Sequence, residues 1–432
     1  MKKIKTAVAL CTAFVSTAAF VACATPNSTL LATPAAAAEL SRAERVDLSF
    51  QSYLSSVENF AATFSPTAYS DLEEKGNFVS SPVSVYLALS LLAECTGTDT
   101  REEFLTTLGV TYEQLAAHSG SLYRLLNGTH KNGNKTVGLI KATNSVWIDD
   151  SITAKESALN ALADNYYCYA YSANFKTENE SANAAIRKFV KQQTNGLIDK
   201  NFNLSTETIF SLVNTLYLKD GWNQFGRDLE KTEEPYLFTQ SDQSTVEQKL
   251  LQGYYENGRV QEGESYKTFF AATSHGYKLH FILPKDGYTA DDVFTKEVLS
   301  ELKNLDYGAY DEESNTYYFT RCLFPAFDAE YDKEINSILY SLGIELAFQP
   351  KSADFSPFTN EQSFVETVKH VAKLKVDEEG IEGAAVTLAG VAGTAVAPAI
   401  EIYEDFAVDK AFGFVLTNPY GTTLFSGVVN KI

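Results

Sequence analysis

Residues 381–400 read IEGAAVTLAGVAGTAVAPAI and hold a single charge, Glu382. Ala, Gly and Val dominate, with Thr387, Thr394 and one Pro among them. Glycine is costly inside a helix and β-branched Val is stiff there, so a helix is disfavoured. The stretch is also far longer than a turn, and long segments of this kind inside a domain are usually functional. It follows a charged run and precedes the apolar pattern FGFVLTN. Whatever the chain folds into must carry this uncharged connection close to its C-terminus.

The rest of the sequence is ordinary for a globular protein, with 432 residues, 45% apolar and 21% charged. The formal net charge of −20 argues against nucleic acid, because phosphate contacts need Lys/Arg patches and none is visible. The N-terminus, MKKIKTAVALCTAFVSTAAFVACATP, has three lysines and then an uncharged run too short for a comfortable membrane span. It predicts a secretory signal over residues 1–22. The run ends in FVAC, which resembles a bacterial lipoprotein cleavage site and makes Cys23 the lipidated first residue; simple secretion is the alternative. The mature protein would then be extracellular or held on a bacterial cell surface, touching membrane only through that anchor.

Residues 23–41, rich in Ala, Thr, Pro and Ser, read as a flexible spacer. No second linker follows, and residues 42–432 read as one domain without internal repeats. Helical spacing is seen in AERVDLSFQSYLSSVENFAATF, SPVSVYLALSLLAE, TDTREEFLTTLG and ANAAIRKFVKQQTNG, with capping residues at several ends. Strand-like runs are TIFSLVNTLYL, YKLHFILP, TYYFTRCLFPAF, FVETVKHVAKLKV, FGFVLTN and TTLFSGVV. Helices gather early and strands late, the pattern of an α+β domain rather than a doubly wound one.

Positive signals for an enzyme are missing. There is no GxSxG, P-loop, Rossmann fingerprint or zinc motif. The pairs Glu73/Glu74, Glu102/Glu103 and Asp291/Asp292 suit solvated faces. The five histidines lack ligand spacing, so no metal or cofactor is expected. Cys95, Cys168 and Cys322 are odd in number and widely spaced, which fits buried free thiols rather than a disulfide framework.

Several spaced motifs, in order, resemble the serpin family: NFVSSPVSVYLALSLLAECTGTDTREEFLTTLGV, FVKQQTNGLIDK, LVNTLYLKDGW, LHFILPKDG, FPAFD, SADFSPF, VKHVAKLKVDEEGIEGAAVT and FGFVLTNPYGTTLFSGVV. The resemblance covers the whole domain. It implies several helices packed on three β-sheets, with an exposed reactive-centre loop over about residues 378–405. It further implies that Ser81, Ser84, Asn214 and His370 sit where the central sheet parts, and that Trp222 and Glu378 sit at the top, where insertion begins. The plainer reading of these residues is a set of buried, hydrogen-bonded polar groups.

An inhibitory serpin offers its loop as bait. A serine or cysteine protease is acylated by the loop, which then inserts into the large sheet and drags the covalently tethered protease with it. The expected hinge is Glu378, Glu379, Gly380, Ile381, Glu382, Gly383, Ala384 and Ala385. Strand alternation puts Ile381, Gly383, Ala385, Thr387, Ala389 and Val391 on one face, all uncharged. Glu382, Ala384, Val386, Leu388 and Gly390 take the other, with the one charge outward. Ile381 stands where inhibitory relatives usually have Thr or Ser, and Gly383 where they usually have Ala; neither bars entry into a sheet. About a dozen new ladder bonds of ~0.5–1.5 kcal/mol each would supply on the order of 10 kcal/mol, comparable with the stability of a domain.

Counting from the hinge places the reactive bond at Thr394–Ala395. Counting back from Phe412 places it later, so Val391, Ala392, Val396 and Ala397 remain alternatives. No Lys or Arg lies in residues 377–408. A trypsin-like pocket would keep an unpaired carboxylate, whereas Thr, Val and Ala suit elastase-like or subtilisin-like proteases. The expected partner is thus a protease with a small apolar pocket, bound covalently by a monomer. The competing expectation is a non-inhibitory serpin serving as carrier, chaperone or structural surface protein.

Overall fold

The computed structural model describes residues 28–133, 135–222, 229–382 and 400–432. The helix Leu48–Ser70 starts where the Asp47 carboxylate accepts from the backbone N–H groups of Ser49 and Phe50. Its buried Phe50, Tyr53, Val57, Phe60 and Phe64 recur every three or four residues and face the core. The helix Pro82–Cys95 opens with Pro at its first position and buries every residue except Glu94. A helix apolar all round belongs inside, and this one packs beneath both major sheets. The helix Thr98–Leu108 stops at Gly109, whose φ of 69° is a left-handed cap.

Eight strands form the largest sheet: β1 (Ser28–Ala32), β2 (Asn127–Asn132), β3 (Lys135–Asp149), β4 (Cys168–Ala173), β5 (Phe210–Gly221), β6 (Phe327–Glu334), β7 (Lys369–Val376) and β8 (Gly380–Ile381). Their order is β1-β4-β3-β5-β8-β7-β6, with β2 pairing β3. Among the described residues of this sheet, only β3 and β4 run parallel. A six-stranded sheet holds the C-terminal hairpin Phe412–Thr417 and Thr423–Val429, the latter buried along its whole length. A five-stranded sheet joins Ile400–Ala407 in parallel to Thr316–Phe324, and a two-stranded ribbon completes the set. The fold is α+β, with three large sheets as expected.

Two expectations need correction. Residues 28–41 are not a free spacer. Ser28–Ala32 adds an edge strand to the largest sheet, with Ser28 opposite Ala173. Leu40 is buried, Ser41 and Glu44 form a capping box, and the Arg124 guanidinium donates to the carbonyls of Ala38 and Glu39. The Ala/Pro-rich composition hides a five-residue strand whose backbone groups complete a sheet edge. The run beginning at Phe364 also starts its strand late, at Lys369, because Asn336 holds the Val368 N–H outside the ladder.

Candidate functional site

The site lies where the uncharged connection leaves the large sheet. From β7 the chain turns through Asp377, Glu378 and Glu379, and β8 returns between β7 and β5. Ile381 pairs with Val376 on one side and Asp220 on the other, and Gly380 pairs with Gly221. Below Ile381 no ladder joins β5 to β7 among the described residues. Gly380 is needed for this threading, since a Cβ there would lie 2.3 Å from the Asp220 carbonyl oxygen. Ile381 is fully buried, which agrees with its expected inward face.

The turn is fastened from several sides. Trp222 is buried against Phe324, and its indole N–H donates to the Asp377 carbonyl at 2.7 Å. Leu229 N–H donates to the Glu378 carbonyl at 2.8 Å, and Lys231 pairs with the Glu378 carboxylate at 3.4 Å. The Asp377 carboxylate accepts from the N–H groups of Glu379 and Gly380. The structure therefore brings Trp222, Glu378, Glu379, Gly380 and Ile381 together.

Glu382 departs from the expectation of an outward charge. Its φ of 51° is left-handed, and its side chain is half-buried against β5. The Tyr217 hydroxyl donates to Oε1 at 3.1 Å, while buried Oε2 lacks a partner among the described residues. Burial raises its pKa to about 7.

Lower in the sheet, the Ser81 hydroxyl donates to the Leu424 carbonyl at 2.8 Å, and its Oγ lies 2.9 Å from Ser84 Oγ. Its backbone N–H donates to His370 Nε2 at 3.1 Å. His370 must stay neutral to accept, and burial lowers its pKa to about 4. Asn214 does not join this group. It turns toward β3, where its amide donates to Asn144 Oδ1. Its own Oδ1, and the Thr215 hydroxyl beside it, are buried without hydrogen-bond partners among the described residues. Such atoms are rare in native proteins.

One cluster had no signal in the sequence. The buried Asp220 carboxylate accepts from the His275 backbone N–H at 3.0 Å and lies 2.6 Å from His275 Nδ1. His130 stacks on His275 at 3.9 Å between ring centroids. Burial, with His275 second, lowers the His130 pKa. Positions 130, 220 and 275 share no spacing, and only the meeting of two sheets joins them. Gly383, Ala384, Ala385, the reactive-bond candidates Val391, Ala392, Thr394, Ala395, Val396 and Ala397, and Cys23 lie outside the described residues. Cys95, Cys168 and Cys322 are buried and free.

The largest sheet thus holds the root of a long connection between its two central strands. Comparison with known proteins names the class. The family model described as serpin (serine protease inhibitor) matches residues 55–432. A serpin-like protein of Methanosarcina acetivorans is 25% identical over 366 residues, covering 83% of this chain and 82% of its own length. The solved native state of the thermophilic serpin tengpin superposes with a TM-score of 0.73 at 21% identity, covering 94% of this chain and all of that one. Thyroxine-binding globulin in complex with thyroxine superposes with a TM-score of 0.70 at 20% identity, covering 88% and 99%. The chain belongs to the serpin family, most of whose members inhibit proteases rather than catalyse a reaction.

Proposed function

We propose that this serpin is a suicide inhibitor of serine proteases with a small apolar specificity pocket, elastase-like or subtilisin-like. The observation that carries the reading is the position of Gly380 and Ile381, already threaded between β5 and β7. In the proposed reaction the protease serine Oγ attacks a loop carbonyl carbon among residues 391–397. The peptide bond breaks, the new amine leaves with a proton, and an acyl ester joins the two proteins. Continuing the β8 register would then bring Thr387 level with both Asn214 and His370, on the inward face. There its hydroxyl would meet Asn214 Oδ1, which has no hydrogen-bond partner among the described residues. We also propose secretion, with Cys23 as a lipid anchor on a bacterial surface.

The test is incubation of the mature protein with an elastase-like protease, followed by a denaturing gel. The expected result is a covalent band at the summed mass, with the mass of the released C-terminal fragment naming the bond. Complete cleavage without that band would overturn the reading. A carrier role is the second reading. It is favoured by a cavity of about 240 Å³ lined in part by Glu58, His280, Lys303 and Tyr307.

A further inference from the structure

The strand β1 reshapes the connection between Cys23 and the folded body. As a free spacer, residues 23–41 would give a leash of about 65 Å when fully extended. The fold takes most of that length away. Ser28–Ala32 pairs with Cys168–Ala173, and Leu30 packs against the buried cluster that holds Trp147, Tyr171 and Phe175. Further on, Leu40 is buried and the Arg124 guanidinium holds the carbonyls of Ala38 and Glu39. Cys23 lies five residues before Ser28, so the chain between them spans at most about 18 Å.

The exit point lies at one pole of the largest sheet. Ser28 is opposite Ala173, which is level with Asp149 on β3. The hinge lies at the other pole, where Gly138 on β3 pairs with Asp220 and Asp220 pairs with Ile381. Gly138 and Asp149 are eleven residues apart on one strand, or about 36 Å. β4 runs parallel to β3 and away from the hinge, and β1 is antiparallel to β4. Followed back from Ser28 toward Cys23, the chain therefore leaves the sheet pointing away from the hinge. Seating the hinge against a bilayer would need Ser28 about 36 Å above a surface from which its leash allows about 18 Å. Exposed side chains beside the exit include Asp150, Lys176, Glu178 and Glu207, an acidic set with no attraction of its own for anionic lipid. The leash does the seating.

We propose that β1 orients the lipid-anchored protein on its bilayer, with the Ser28–Ala173 pole facing the membrane and the hinge, with the connection it carries, facing outward. This rests on the Cys23 anchor proposed above. It rests on the inhibitor reading only for what the outward pole meets, a soluble protease arriving from the surroundings rather than one seated in the same membrane.

The test uses the full chain, processed in a bacterium and reconstituted on phosphatidylcholine vesicles that hold a headgroup-labelled acceptor lipid. Cys95, Cys168 and Cys322 are buried, so a donor fluorophore can be placed singly through Lys176→Cys near the exit or Glu230→Cys beside the hinge. Glu230 follows Leu229, whose N–H donates to the Glu378 carbonyl. The expected result is energy transfer at least about twofold greater from position 176, because the two poles differ in height by about 36 Å. A Gly/Ser linker of about twenty residues inserted after Thr25 adds a coil of about 25 Å and should erase most of that contrast. Leu30→Pro, which unseats β1, should do the same while the protein stays on the vesicles. The linker leaves every described residue in place, so it carries the comparison should Leu30→Pro melt early. Equal transfer from the two positions without the linker, or a contrast that survives the linker, overturns the orientation by β1. Failure of the anchor shows separately, as a Cys23 peptide without added acyl mass and protein that does not float with vesicles. A hexahistidine in place of residues 22–27, on nickel-chelating vesicles, then supplies a leash of similar length, and the same contrast decides the orientation. None of these outcomes depends on protease inhibition.

Discussion

Glu382 is the one ionisable residue of residues 381–400, and its setting opposes ionisation. Burial against β5 raises its pKa to about 7, above the ordinary carboxylate range. The folded hinge therefore binds a proton more tightly than the unfolded chain does. Its contribution is full below about pH 4.5 and is lost as pH rises through 7. Glu382→Gln should melt higher than wild type at pH 8, with the gap closing by pH 5. A gap independent of pH would show that the carboxylate is not strained. His370 has the opposite sign. Its pKa falls to about 4, so the stability it contributes is present above pH 6.5 and lost on acidification toward 4. His370→Gln should remove that acid-side loss. Gly380 is fixed by contact: a methyl group meets the Asp220 carbonyl at 2.3 Å, so Gly380→Ala should push β8 out of the sheet.

At the scale of elements, the pair β5 and β7 decides whether the connection can enter. Ala385→Arg would place a charge on the inward face, where desolvation costs several kcal/mol. The variant should be cut at a rate near wild type, but with its stoichiometry of inhibition raised severalfold and most molecules released as cleaved product. Full trapping by Ala385→Arg would mean that the inward register is wrong. The sequence made much of this legible. The nearly uncharged run, the early helices and the late hairpin could all be read locally, because each follows from period or composition. What stayed hidden depends on distant partners. The edge strand Ser28–Ala32 looks like linker until Cys168–Ala173 is there to pair with it. The fifteen-residue strand Lys135–Asp149 mixes Gly, Lys and Thr with its apolar positions and lacks a clean alternation. Glu382 alternates outward on paper, yet its left-handed backbone tucks it against Tyr217. Asn214 pairs with Asn144 rather than with the His370 group, a choice among partners that no spacing encodes.

At the scale of the molecule, the proposed inhibitor is a fold held short of its lowest free energy. Among the described residues, two buried polar atoms of β5 lack partners and the central strands share no ladder below Ile381, and a connection suited to a sheet interior begins at that point. Adding about a dozen ladder bonds would stabilise the cut form by on the order of 10 kcal/mol. At about 1 °C per kcal/mol for a domain of this length, that is a rise on the order of 10 °C in the thermal midpoint. The most direct measurement is the melting temperature before and after a single cut among residues 391–397, made with catalytic amounts of an elastase-like protease. The cut protein, with both fragments retained, is expected to melt about 10 °C higher than the intact one. An unchanged or lower midpoint after complete cleavage would contradict it.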